Sequence, residues 1–534
     1  MGHHPRALDR RRFLAGGAAV ATAAWAAPTI LSPTGAFAAD PVLPGPPFTL
    51  GVASGDPTPS AVILWTRLAP DPLNGGGMPA VDVPVGWEVA TDDAFTQVVA
   101  SGTTIATPDH AHTVHVDATG LAPDTWFHYR FSASGFTSPV GRTRTAPAEG
   151  ASPASMRFAF ASCQNWPAGY YTAHRALAAE DVDVVHFLGD YIYENGSQGP
   201  VRPHNSPEIK TLAAYRNRYA LYKGDADLQA SHAAFPWIVT WDDHEVENNY
   251  AGLVPQDPAD APTFAARRAV AYQAWWEHQP VRLPSPTGPD LQIHRRFDWG
   301  DLVRFAVVDG RQHRSDQACG DDVGPPCPEM YAADRTMLGS DQEAWLDGEL
   351  RASTAVWNVV ANQTIVAPMV LGGGVNRDQW DGYPVAQQRL LDLLAAIRNP
   401  VVITGDIHAA WITELPRTAA DRTSPTIGLE LVGTSISSDF GDNLAPIYEQ
   451  LLTATPGTHH VNAHDNGYTV VELTRGQLTA TYRVVSTVTA PEATAATDTA
   501  FIWPAQAAPS TTTSTTAPTT TAGGSGTVTP AFTG

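Results

Sequence analysis

Apolar runs along this chain repeatedly end in residues that can bind metal ions. Arg157-Phe158-Ala159-Phe160-Ala161 leads into Ser162-Cys163. Val184-Val185-His186-Phe187-Leu188 leads into Gly189-Asp190, with Tyr193 three residues on. Trp237-Ile238-Val239-Thr240-Trp241 leads into Asp242-Asp243-His244-Glu245. Val356-Trp357-Asn358-Val359-Val360 leads into Ala361-Asn362, and Val401-Val402-Ile403-Thr404 into Gly405-Asp406-Ile407-His408. Short β-branched and aromatic runs of this kind read as buried strands. In α/β sheets the carboxyl edge of the strands is where ligands bind. A single Gly-Asp after a strand is an ordinary turn. Five strand ends carrying Asp, Asn, His, Cys or Tyr predict a polynuclear metal centre.

The donor types say which ions would suit it. The Cys163 thiolate, Tyr193 phenolate and His408 imidazole are strong or soft donors and, with Asp190, suit a ferric-type ion. Asp190, Asp243, Asn362 and Asp406 offer oxygens that suit a harder divalent ion such as calcium (Ca2+). Asp190 is common to both sets and could bridge them. Two ions about 3.5–4 Å apart can clamp a phosphoryl group and activate water, which implies hydrolysis of a phosphate ester. Arg311 and Arg314 follow Asp309 after the apolar run Val303 to Val308. They read either as bidentate partners of the substrate phosphate or as one side of a buried Asp–Arg pair. Gly372-Gly373-Gly374 has no Walker lysine after it and reads as a loop. Trp275, Trp276 and Trp411 read as core.

These residues need a frame, and the chain changes pattern to supply one. From Phe48 to about Ala146 short alternating strands such as Ala61–Trp65, Val85–Val89, Thr113–Val116 and Trp126–Phe131 predict a β-sandwich. His110, His112 and His115 fall within it, the last two on opposite faces of one strand, and read as structural. After a Pro/Ala/Gly/Ser linker, Ala146 to Ser155, strands alternate with helical stretches, Tyr170 to Glu180 and Val385 to Arg398 among them, which predicts an α/β domain. Tyr468 to Leu473 and Leu478 to Val485 read as a hairpin around Arg475-Gly476.

At this point the chain resembles the PhoD-like alkaline phosphatases, a branch of the calcineurin-like metallophosphoesterases. The matching stretches are Phe160-Ala161-Ser162-Cys163-Gln164, Gly189-Asp190-Tyr191-Ile192-Tyr193, Trp241-Asp242-Asp243-His244-Glu245, Asn362-Gln363-Thr364 and Gly405-Asp406-Ile407-His408. Trp380-Asp381-Gly382-Tyr383-Pro384 and Thr434-Ser435-Ile436-Ser437-Ser438 fit as well. The resemblance implies an α+β four-layer metallophosphoesterase sandwich over 155–490, preceded by an all-β fibronectin/Ig-like domain over 45–147. It implies iron (Fe3+) on Cys163, Asp190, Tyr193 and His408, and calcium on Asp190, Asp243, Asn362 and Asp406. His244 would stand beside the substrate to bond the phosphate or protonate the leaving group; its structural reading is a histidine braced by Glu245. Relative to the wider superfamily Cys163 replaces an aspartate and Asp406 a histidine, which argues against a zinc or manganese pair.

The ends of the chain read as address and tail. Arg10-Arg11-Arg12-Phe13-Leu14, the Ala/Gly-rich stretch to Leu31 and Ala36-Phe37-Ala38 predict a twin-arginine signal peptide over 1–38 and a partner in the Tat export machinery. A signal anchor is the alternative; no later segment has the ~20 apolar residues of a membrane span. Residues 505–534 are rich in Thr, Ser and Pro and predict a disordered tail that could hold the protein at the cell wall. Cys319 and Cys327 are close enough for a local disulfide outside the cell. The net charge of −22, with lysine only at 210 and 223, disfavours nucleic acid as a stable partner. The expected activity is release of phosphate from mono- and diesters outside the cell. The rival within the same chemistry is a dedicated diesterase acting on wall teichoic acid, phospholipid or nucleic acid. The rival outside it is a wall-binding protein, which would have no use for two open metal sites.

Overall fold

The computed structural model describes residues 41–506 apart from 322, 370 and 442. The signal segment 1–38 and the Thr/Ser/Pro-rich segment beyond 506 lie outside the described residues. Two mixed sheets lie face to face. In the first, Ser155–Ala161, Val184–Phe187 and Pro236–Val239 run parallel; in the second, Val303–Val307, Trp357–Ala361, Pro400–Thr404 and Asp421–Val432 do the same. These strands are continuous apolar runs because both faces of each are covered. Phe158, Phe160, Val184 and Ile238 meet Phe305, Val359, Val401 and Leu429 between the sheets. The alternate residues, Ala159, Val185, Phe187, Trp237 and Val239, face outward onto helices Leu212–Lys223, Ala226–Ala234 and Ala261–His278. On the far side Val360, Val402 and Val432 pack on Leu346, Leu350, Leu390 and Leu394 of Ser340–Arg351 and Pro384–Leu394. The result is an α/β arrangement of helix, sheet, sheet and helix layers.

The N-terminal region is joined to this frame more closely than a linker at 146–155 predicts. A sheet built on Val83–Ala90, Val98–Ala106 and Trp126–Ala133 packs over Val52–Thr58, Ala61–Arg67 and Thr113–Thr119, with Val62, Leu64, Val85, Val89, Val116, Phe127 and Phe131 between them. The second of these layers continues the first mixed sheet, because Val52–Thr58 pairs in parallel with Pro236–Val239. An edge strand left unpaired there would expose a row of N–H and C=O groups, and the N-terminal strand covers it. His112 and His115 bond the carbonyls of Val81 and Gln279; they do not converge on a metal site.

The hairpin at the C-terminal side forms, with Gly467–Thr474 paired to Gln477–Val485. The two helical stretches are shorter than their periodicity predicts, Thr172–Leu177 and Pro384–Leu394. In the first, the Tyr170 N–H goes to the Val488 carbonyl, 2.7 Å away, and Glu180 accepts from Tyr468 and Arg483, so both ends serve tertiary contacts instead of the helix. Cys319 and Cys327 are joined as a disulfide. Among the described residues no helix is long and apolar enough to cross a membrane.

Candidate metal centre

The strand ends named from the sequence come from both sheets: Cys163, Asp190 and Asp243 follow strands of the first, and Asn362, Asp406 and His408 follow strands of the second. Cys163, Asp190 and His408 bring donor atoms to within 4.8 Å of one another, as do Asp190, Asp243 and His244, and Asp242, Asp243 and Asp406. The Tyr193 hydroxyl lies 3.0 Å from Asp190 Oδ2 and 3.2 Å from His408 Nε2. Asp190 therefore stands in two of the groups, between the Cys/Tyr/His side and the carboxylate side. Its Oδ1 is buried without a hydrogen-bond partner, and so is Oδ1 of Asn362. Native proteins rarely leave such atoms unpaired, and a bound ion is one of the few explanations.

Tight geometry at the strand ends aims these side chains. Cys163, Asp190, Asp406 and His408 all take left-handed backbone conformations, with φ of +58°, +56°, +68° and +58°. Such values are uncommon outside glycine, cost about 1–3 kcal/mol each and cluster at functional sites. The glycines beside two of them permit the close approach. A Cβ on Gly189 would collide with Asp242, and one on Gly405 with the Ser162 side chain. Glu245 ties the turns together by accepting from the N–H groups of Asp190, Tyr191 and Asp242. Ser438 bonds the Tyr193 hydroxyl at 2.7 Å and the Cys163 carbonyl at 2.8 Å, which explains the serine-rich stretch at 434–438.

The electrostatics call for cations. Burial pushes the Asp190 and Asp242 carboxyls well above the ordinary range, and neighbouring carboxylates add to the push. Asp406 is pushed up to about 7, first by burial and then by Asp378. Burial and Asp190 together raise the Cys163 thiol and the Tyr193 phenol. Bound metal ions would invert these shifts, since they favour the deprotonated form of every donor here.

Two site residues differ from their expected surroundings. His244 is not braced by Glu245; its Nδ1 sits 2.7 Å from Glu194 Oε2, and its ring stacks 4.1 Å from that of Tyr193. Burial opposes charge on this ring, but Glu194, Asp243 and Asp190 outweigh it and hold the imidazolium well above the usual histidine range. Arg311, expected as a candidate phosphate ligand, is fully buried instead. It binds Asp378 through both terminal nitrogens at 2.8 Å, Asp242 through Nε at 2.5 Å, and reaches Asp406 at 3.3 Å. Of the two readings of Arg311, these contacts are those of a buried Asp–Arg pair, with the guanidinium occupied by carboxylates. Arg314 joins Asp378 at 2.6 Å. Glu194, Asp378 and Gln379, which bonds Asp406 Oδ2 at 2.5 Å, were not legible from spacing. Only the tertiary fold brings them in.

A family model described as PhoD-like phosphatase matches residues 158–482, and one described as its N-terminal domain matches 35–147. The chain belongs to the PhoD-like phosphatase family. Alkaline phosphatase D of Bacillus subtilis (strain 168) is 47% identical over 512 residues, which cover 93% of this chain and 88% of that protein. A solved structure entitled "Structure of PhoD" superposes with a TM-score of 0.84 at 48% identity, covering 87% of this chain and 91% of the other. As a PhoD-like phosphatase the protein is a hydrolase of phosphoric ester bonds, and its substrate is a phosphate ester.

Proposed function

We propose that the protein is an exported, metal-dependent phosphoesterase of the alkaline phosphatase D type that hydrolyses phosphate mono- and diesters. The observation that carries this reading is the position of Asp190, which is shared by a Cys/Tyr/His donor group and a carboxylate group and whose Oδ1 is buried and unpaired. Fe3+ on Cys163, Asp190, Tyr193 and His408 and Ca2+ on Asp190, Asp243, Asn362 and Asp406 fit the donor types. When bound, the ions would polarise the phosphoryl oxygens and make water a better nucleophile. The chain's own part is to hold these donors rigidly and to deliver a proton. Glu194 takes Nδ1–H of His244, so Nε2–H is left to bond the phosphate and protonate the leaving oxygen as the P–O bond breaks. The four layers over 155–490 agree with a metallophosphoesterase sandwich, and the N-terminal sheet pair over 45–147 with a fibronectin/Ig-like domain. Residues 1–38 and 505–534 complete the reading as a Tat signal and a tail that allows attachment to the cell wall.

Removal of metal tests the first half. Chelation is expected to abolish aryl phosphate hydrolysis, and readdition of iron with calcium to restore it. Phenolate and thiolate on Fe3+ should give visible absorption, and Tyr193→Phe should shift it. A colourless, iron-free preparation of full activity would refute the iron assignment.

Glu194→Gln tests the proton delivery. General acids contribute about 10²–10⁴-fold, so kcat for alkyl phosphates is expected to fall by about 10²-fold. For esters of acidic phenols, whose leaving group needs no proton, the fall should be under about tenfold. Equal losses on both classes would remove His244 from the role of acid.

A further inference from the structure

The cavity that holds the carboxylates, about 340 Å3, has two unlike sides. Asp190, Asp243, His244, Asp406 and His408 line one of them; Phe440, Leu444 and Tyr448 line the other. We propose that this apolar wall, extended by Ile447, is the subsite for a hydrocarbon or aromatic group on the alcohol side of the phosphate ester. The inference rests on the phosphoesterase reading and names the class of ester that the site prefers.

The helix Ala445–Thr453 and the residue before it place Leu444, Ile447, Tyr448 and Leu451 at i, i+3, i+4 and i+7. A stripe with that spacing ordinarily faces the core. Here the core-facing side is already supplied by Ala445 and Leu452, which are buried against the second sheet's outer layer. Glu449, accepting from the Ala463 N–H at 3.0 Å, holds the helix in that orientation. Tyr448 packs partly against that core, while Leu444 and Ile447 are left 52% and 53% exposed. Scattered exposed leucines need no explanation, but Leu444 lines the same cavity as the candidate metal donors, with Ile447 three residues on along the chain.

The wall is also fixed in place. Phe440 and Tyr448 meet edge to face, with ring centroids 4.9 Å apart at 74°. Phe440 follows Asp439, whose carbonyl accepts from His408 Nδ1 at 3.0 Å, which links the wall to a predicted iron ligand. A cavity of this size takes a phosphate and a small organic group, and apolar lining around a few polar groups is the common design of such sites. Asp321, on the same lining, opposes a polyanionic occupant. A neutral apolar group satisfies both sides.

The experiment measures kcat/KM for n-alkyl phosphates from methyl to hexyl, below their micelle concentrations, with the mature chain reconstituted with iron and calcium. Burying one methylene is worth a factor of about three to four. The wild-type series should rise by roughly that factor per carbon along butyl to hexyl. In the double variant Leu444→Ser, Ile447→Ser the slope should fall toward one. Both positions are more than half exposed, so the substitutions leave the core intact. A flat wild-type series with methyl and aryl phosphates still cleaved overturns the subsite and leaves the phosphoesterase reading standing. An equal slope in the variant overturns it too, since the chain then lies elsewhere. A flat series from a dimer that the variant disperses, seen by light scattering, gives the wall to a second copy instead. Failure to cleave any ester with both metals loaded overturns the phosphoesterase reading, and the inference falls with it.

Discussion

Asp190→Ala is expected to lower kcat/KM toward phosphate esters by about 10³–10⁴-fold while the fold survives. Asp190 is the one side chain common to both predicted ligand sets, and it stands between Tyr193, Cys163 and His408 on one side and Asp243 on the other. Loss of metal-derived charge stabilisation is worth several kcal/mol of barrier, and each 1.36 kcal/mol is tenfold in rate. Stability should respond in the opposite sense without metal. Burial first, and neighbouring carboxylates after it, push this carboxyl's pKa up, so alanine removes the cost of burying it and the metal-free variant should be at least as stable as the wild type. With iron and calcium present the wild type gains stability from ligand binding, and the variant should lose most of that gain. Calorimetry with and without metal, beside metal content and aryl phosphate turnover, reads all three quantities. A variant that keeps its metals and works within tenfold of the wild type would refute the bridging role.

Arg311→Leu is expected to cost about 3–5 kcal/mol of stability, the usual penalty for removing one partner of a buried ion pair. The arginine is fully buried and binds Asp242, Asp378 and Asp406, with Asp243 at 3.7 Å. Without it Asp378 keeps Arg314 and Gln317, but the Asp242 side chain loses its cationic partner in a closed space. Urea unfolding at neutral pH should show a lower midpoint at unchanged slope. Activity should fall too, through poorer placement of Asp406 and Asp243, and excess calcium should recover part of it. An unchanged midpoint combined with a raised KM for phosphate esters would return Arg311 to the substrate.

Much of the site was legible because strands and donors differ so sharply in type. An apolar run such as Val184–Leu188 can only be buried, and an aspartate directly after it must lie at the strand's end. Repeating that observation at Cys163, Asp243, Asn362 and Asp406 picked out the donors, but not that they come from two facing sheets. Glu194 carried no such signal. It lies in a loop 50 residues before His244, and only the crossing of two chain segments makes them neighbours. Glu245 looked like the brace for His244 because it is adjacent in sequence. Adjacent side chains after a strand point apart, and Glu245 turns inward to bind three backbone N–H groups.

The sequence alone determined the α/β class, the separate N-terminal β pattern, the residues at the strand ends and the chemistry their donor types allow. Those features are local: apolar periodicity decides the strand, and the residue type decides what it can bind. Tertiary structure decided the rest. It extended the first sheet into the N-terminal region, because the strand Pro236–Val239 needed a partner at its open edge. It gave Arg311 to carboxylates instead of substrate, because four acidic side chains converge on a buried point that no single stretch of chain reveals. It also brought Leu444 and Tyr448 to the cavity, while Ala445 and Leu452 of the same segment fill the core. Which charges must be neutralised, and which apolar faces remain uncovered, depends on segments far apart in sequence meeting in space.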